Sequence, residues 1–186
     1  MVAELVEQLG HCACSEAFSA GLNPAQWAAL RYLERANRFS RTVSAFADYH
    51  GTTRGTASQT IRALVQKGFL RRLPDERDQR SFRLDLTGHA RAVLDADPLA
   101  GLVSAAATLP QAQCTVLAEG LRTLLERVQD KRARRPFGVC TSCRHLCALD
   151  DEGRRGCGSR CAFKNAILQD GELGKICIDY QSRLDH

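Results

Sequence analysis

Apolar residues recur at helical spacing through most of the first 130 positions, and the regular period is then lost. Leu5, Val6, Leu9, Ala13, Ala17 and Phe18 fall near one face of a helix predicted over 2–20. Asn23-Pro24 offers an N-cap followed by proline at the first helical position. Trp27, Leu30 and Leu33 then mark an apolar stripe to about Ala36. Thr42 can cap a short helix holding Val43, Phe46 and Ala47 that ends near Gly51. Thr52 or Thr53 opens the next, which runs to Lys67 with Ala57, Ile61, Leu64 and Val65 inward and Gly68 as its stop. The pattern then changes period. Residues 69–73 and 81–86 read as short strands, joined by the polar segment 74–80 (PDERDQR). Thr87-Gly88 begins a helix through Leu94, and the small-residue stretch 98–110 yields no assignment. Leu109-Pro110 starts a last long helix with Val116, Leu117, Leu121, Leu124, Leu125 and Val128 on one side. It ends in a basic run that Pro136 breaks.

Helix, tight turn, helix and charged hairpin make the winged helix-turn-helix arrangement. The 53–67 helix keeps one apolar face for a core, and its other face carries Thr53, Arg54, Thr56, Ser58, Gln59 and Arg62. Short polar side chains and cations of this kind can reach base edges and phosphates when a helix enters the major groove. Arg77 and Arg80, on the connection between the strands, could approach the minor groove or the backbone.

The stretch ASQTIRALVQKGFLRRLPDERDQRSFRLDLTGHAR resembles the signature of MarR-type regulators. The matching elements are Leu64 to Gly68, Arg71 or Arg72, the D-x-R of Asp78-Gln79-Arg80, and Leu84-Asp85-Leu86-Thr87. Gly88-His89-Ala90 departs from the pattern by moving the usual glycine toward the threonine. The resemblance covers roughly residues 20–135 and implies a homodimer joined by the first and last long helices, reading a pseudo-palindromic operator in double-stranded DNA. The unpaired apolar stripes on those two helices ask for a partner independently.

Composition adds two facts. The net charge of +5 sits wholly in residues 1–136, because basic and acidic residues balance from Phe137 onward. That excess suits a face directed at phosphates. No cationic segment leads into an apolar stretch at the N-terminus, and no apolar run approaches about eighteen residues. The expectation is a cytoplasmic protein with no membrane partner. Nucleophile-elbow, phosphate-loop and HExxH patterns are absent, so an enzyme is not expected.

Six of the nine cysteines fall between Cys140 and Cys177. In a cytosolic chain such a cluster reads as a metal or redox site and not as a disulfide framework. Cys140-Thr-Ser-Cys143 is a Cys-x2-Cys knuckle that lets two sulfurs meet one centre. The tail also resembles a cysteine extension found on some MarR-like proteins, of the form G-V-C-x-T-C…C-x-[LF]…C. That resemblance implies the ligand set Cys140, Cys143, Cys161 and Cys177, with Cys147, Cys157 and His145 as alternates. One pair followed by single cysteines suits an iron–sulfur cluster, with zinc as the alternative. Cys12 and Cys14 lie two residues apart on a helix and face different ways, so they are at most separate redox thiols.

The predicted architecture is therefore mainly α with a small β-hairpin wing (α+β), divided into a winged-helix and dimerisation domain over 1–136 and a cysteine-rich module over 137–186. The function expected is a transcription regulator whose operator affinity follows an iron–sulfur cluster. The alternative is a repressor answering a small phenolic or aromatic ligand or thiol oxidation, with structural zinc in the tail.

Overall fold

The computed structural model describes residues 1–15, 18–74, 82–130, 136–148 and 158–183, the side chains of 14, 15, 129, 130 and 170 excepted. Seven α-helices and two short strands form its larger part: α1 Val2–Ser15, α2 Pro24–Arg35, α3 Val43–His50, α4 Arg54–Gln66, β1 Leu70–Pro74, β2 Phe82–Leu86, α5 Gly88–Leu94, α6 Ala100–Ala107 and α7 Gln111–Asp130. Five short strands follow: β3 Gly138–Val139, β4 Leu146–Ala148, β5 Ser159–Cys161, β6 Ala166–Leu168 and β7 Ile176–Cys177.

The helix boundaries follow from local chemistry. Asn23 caps α2 in a full capping box with Gln26, ahead of Pro24. Thr42, Thr53 and Thr87 each accept from a backbone N–H three residues on, opening α3, α4 and α5. Gly51 and Gly68 close α3 and α4 at φ 63° and 76°, a conformation that glycine adopts without strain. The Gly88 departure leaves α5 correctly started, because Thr87 still caps it. One expectation is corrected and one gap is filled. Helix α1 stops well short of Ala20, and Ala20 and Gly21, both at positive φ, turn the chain before α2. The unassigned 98–110 stretch holds α6.

Strands β1 and β2 pair antiparallel from Leu70↔Leu86 to Pro74↔Phe82, and Pro74 is tolerated at the end of a two-stranded ribbon. Trp27, Leu30, Leu33, Phe46, Ile61, Leu64, Leu84 and Leu86 form the buried centre of this lobe. Asp85 on β2 ties it together: it accepts from Arg71 at 2.7 Å and Arg41 at 2.9 Å, with Arg91 at 3.8 Å.

The C-terminal segment is not a bare appendage. Ile176 belongs to the same buried cluster, and Phe137 and Ile178 pack against it. Strand β3 pairs with β7, while β4, β5 and β6 form a separate antiparallel sheet. Helices α1 and α7, in contrast, cover little of anything. The apolar stripe of α7 runs from 41 % exposed at Leu121 to 69 % at Val116, and Leu5, Val6 and Leu9 of α1 are equally open. No helix among the described residues is long and apolar enough to cross a membrane.

Candidate nucleic-acid interface and cysteine cavity

Helix α4 separates its faces cleanly. Ala57, Ile61 and Leu64 are buried, whereas Arg54, Thr56, Gln59 and Arg62 are exposed and Ser58 is half-buried. Thr53 is exposed too, but its hydroxyl is engaged: it accepts from the Thr56 N–H at 3.1 Å and lies 2.9 Å from the Thr56 hydroxyl. Thr53 therefore sets the start of the helix. The cations and amide offered outward are Arg54, Gln59 and Arg62. The far end of α4 is fixed by Lys67, whose ammonium donates to Gly21 O and to Gln26 Oε1 of α2. Arg77 and Arg80 lie outside the described residues. A polar groove of about 580 Å³ borders this surface, lined by Thr42, Ser44, Asp48, Arg54, Ile178 and Asp179 among others.

Cys140, Cys143, Cys161 and Cys177 line one small cavity together with His145, Lys164, Asp179, Asn37 and Phe39. Each wall comes from a different element. Cys140 to Ser142 form a single 3-10 turn, closed by the Cys143 N–H on Cys140 O at 3.0 Å, so the knuckle sulfurs share one loop. Cys161 ends β5 and Cys177 ends β7. The rim is latched by Lys164 Nζ to Asp179 Oδ2 at 2.7 Å.

The sulfurs sit among donors. The Lys164 backbone N–H donates to Cys161 Sγ at 3.4 Å. Burial raises the Cys177 thiol pKa most, while the Asn37 side-chain amide and the Asp179 backbone N–H pull it the other way. Burial and the neighbouring Cys177, Cys143 and Cys161 push Cys140 up to about 11. Two buried nitrogens around the cavity, Asn37 Nδ2 and His145 Nε2, make no hydrogen bond of ordinary geometry, and the Asn37 amide is the one that faces the Cys177 sulfur.

Four sulfurs around one cavity with N–H donors beside them are residue types that could hold a sulfur-ligated cation or cluster. The set encloses about 10 Å³ of open space, and no three described Cys, His, Asp or Glu side chains are arranged to hold a single metal ion. Of the alternates, His145 lines the cavity, Cys147 is exposed and does not, and Cys157 lies outside the described residues. Cys12 is exposed on α1, and the Cys14 side chain is among those excepted.

Several residues here carry no sequence signal. Arg38 joins Glu172 at 3.1 Å and donates to Ile167 O, clamping the tail onto the turn between α2 and α3. Gly138, in contrast, has a visible reason once Tyr180 is placed. A Cβ at 138 would come within 2.7 Å of the Tyr180 ring, which is also held through its hydroxyl on Ser142 O at 3.3 Å. Gly138 pairs with Cys177 across β3 and β7, so the clash would fall on the cavity wall. Gly138→Ala is expected to destabilise the tail by about 1–3 kcal/mol, read as faster proteolysis and hydrogen exchange over 137–183. Wild-type protection in that variant would contradict the packing described.

Residues 20–81 match the MarR family. Among solved structures, S. aureus MepR in its DNA complex is 18 % identical at TM-score 0.57, over 69 % of this chain and 94 % of that one. A MarR transcriptional regulator from Methanosarcina mazei Go1 is 21 % identical at TM-score 0.53, over 69 % and 94 %. CouR from Rhodococcus jostii RHA1, bound to p-coumaroyl-CoA, is 18 % identical at TM-score 0.56, over 66 % and 90 %. At these identities the likeness is one of fold. No curated protein matches the chain.

Proposed function

We infer that this chain is a MarR-family transcription regulator acting as a homodimer on double-stranded DNA, with its operator affinity set by an iron–sulfur cluster on Cys140, Cys143, Cys161 and Cys177. The observation that carries this reading is that four cysteines, drawn from three separate segments, line one cavity in contact with the helix-turn-helix. In this reading the chain divides into a DNA-binding and dimerisation part, 1–136, and a sensing module, 137–186.

Two α4 helices related by a two-fold would enter successive major grooves, with half-sites roughly 34–36 Å apart. The open apolar faces of α1 and α7 would form the seam, since each such side chain gains roughly 1.5–3 kcal/mol when fully buried. MepR is solved with DNA, and CouR with an acyl-CoA ligand. The winged lobe of this chain suits the first role. A bound cluster would supply redox-sensitive chemistry and offset part of the charge of the four thiolates. The chain's own part is to hold the sulfurs in one loop and two strand ends, to donate N–H groups to them, and to keep water out with Phe39, Phe163 and Leu168.

A second reading has its own support. The small cavity, about 10 Å³ of open space, favours a structural zinc ion. Iron, sulfide and zinc quantified on one anaerobically purified sample separate the two.

The DNA half is tested by selecting duplexes from a random library and titrating the winner. Arg54→Ala and Arg62→Ala are each expected to lose roughly 5- to 150-fold in affinity, the range that 1–3 kcal/mol per contact implies. Unchanged affinity in both would remove α4 from the interface.

A further inference from the structure

We propose that Asn37 is the positioning residue through which the cysteine cavity reports to the DNA-reading lobe: its side-chain amide donates to the Cys177 sulfur once that sulfur is a ligand. The proposal rests on reading Cys177 as a ligand. It adds the route by which ligation would be felt, within one subunit and independent of the α7 seam.

Asn37 lies in the turn between α2 and α3 and is 1 % exposed. Its orientation is fixed, because Oδ1 accepts from the Ser40 N–H at 3.0 Å and must therefore be the oxygen. Nδ2 is the end left over, in a residue that lines the cavity with Cys177; it makes no hydrogen bond of ordinary geometry, and the Cys177 sulfur is the acceptor it faces. A buried amide N–H without a good acceptor is costly, and an anionic sulfur beside it would supply a strong one. A neutral thiol is a weak acceptor, whereas a thiolate or metal-bound sulfur is a strong one. Asn37 is thus poised for the ligated state of Cys177 and only weakly satisfied in the thiol state.

The same residue is wired into the helix-turn-helix. Its backbone N–H donates to Ile176 O at 3.0 Å, one residue before Cys177. Ser40, fully buried, accepts from the Ile178 N–H on its hydroxyl at 3.0 Å. The Ser40 carbonyl accepts from the Tyr32 hydroxyl at 2.8 Å, and the Tyr32 ring packs on Phe46 and Tyr49 of α3. Any change at Cys177 therefore acts on both ends of the short turn that sets α3 against α2, and α3 packs on α4. The contiguous contacts give coupling a physical path from sulfur to recognition helix.

The test uses full-length protein purified without oxygen and a duplex selected from a random library. Asn37→Ala removes the donor, while the Ser40 N–H keeps its second acceptor, Asn37 O, at 3.0 Å. The variant is expected to carry iron and sulfide as wild type does, with its reduction potential moved to a more negative value, since N–H donors stabilise the electron-richer cluster. The ratio of operator affinities with and without the cluster should fall by roughly 2- to 30-fold. Wild-type potential and wild-type ratio in this variant would overturn the Asn37 proposal alone. Wild-type protein that holds neither iron nor sulfide would overturn the ligand reading beneath it. Should Asn37→Ala fail to fold, Ser40→Ala replaces it: the potential should stay at the wild-type value while the affinity ratio falls, and a retained ratio overturns the route.

Discussion

Replacing Leu121 and Leu124 together by glutamate should yield a monomer that has lost operator binding by about two orders of magnitude or more. Both residues lie on the exposed apolar stripe of α7, 41 % and 46 % open in the single chain. A stripe of this length has no reason to face water unless another surface covers it. In a dimer the two carboxylates would be desolvated beside their symmetry copies, at a cost of several kcal/mol each. DNA affinity would fall with the dimer, because the second α4 helix then no longer adds its half-site within one complex, a gain of about 10²–10⁴. Light scattering gives the mass and fluorescence anisotropy the affinity. A stable dimer carrying both glutamates would move the seam elsewhere, with α1 the next candidate.

Removal of the Asp85 carboxylate should strongly destabilise the winged lobe. Its side chain is 12 % exposed and faces Arg41, itself 17 % exposed, as well as Arg71 and Arg91. Arg41 also donates to Ala36 O and, through its carbonyl, accepts from Leu84 N–H at 2.7 Å, so it joins the α2–α3 turn to β2. Asp85→Ala leaves that guanidinium buried and uncompensated, at a cost of about 3 kcal/mol. For a chain of this size this is a fall in Tm of roughly 6–12 °C. Burial by itself would raise the Asp85 pKa; the Arg71 hydrogen bonds and the charges of Arg41, Arg71 and Arg91 outweigh it and hold the carboxyl below its ordinary value. A depressed carboxyl stabilises the fold fully above the unfolded value, about 3.9, and loses that contribution as pH falls through the folded one. The stability gap between wild type and Asp85→Ala should therefore be constant from neutral pH down to about 5 and close below about 4. A gap that widened in acid would contradict the ion-pair reading.

Much of the winged lobe could be read from the chain because its signals are local. Asn23, Thr42, Thr53 and Thr87 cap helices through bonds that span three residues, and Gly51 and Gly68 close them by backbone freedom alone. Helix α6 escaped because a run of alanine, valine and leucine has neither a polar face nor a capping side chain. The tail strands escaped for a different reason: two or three residues are too few to show a period, and β3 and β7 are held by partners some 40 positions apart. That Cys140, Cys143, Cys161 and Cys177 would lie near one another was legible through the knuckle and a resemblance in spacing. Their surroundings were not. Asn37, Arg38 and Ser40 look like ordinary turn residues, and only the docking of Ile176 to Ile178 gives them work at the cavity. Lys164 and Asp179 likewise become a latch only when β5 and β7 meet.

The proposed coupling between the cysteine cavity and the exposed face of α4 would distinguish this chain from a bare winged-helix repressor. It is tested by titrating one anaerobic sample against its selected duplex, first as purified and again after the cluster is removed by chelator and oxidant and the thiols are reduced. Iron and sulfide should be present before treatment and absent after it, and the affinity should change by roughly 5-fold or more, the lower bound of a typical allosteric coupling. Equal affinity in the two states, with iron and sulfide lost as intended, would reduce the cysteine module to a structural part and leave the signal to be sought elsewhere.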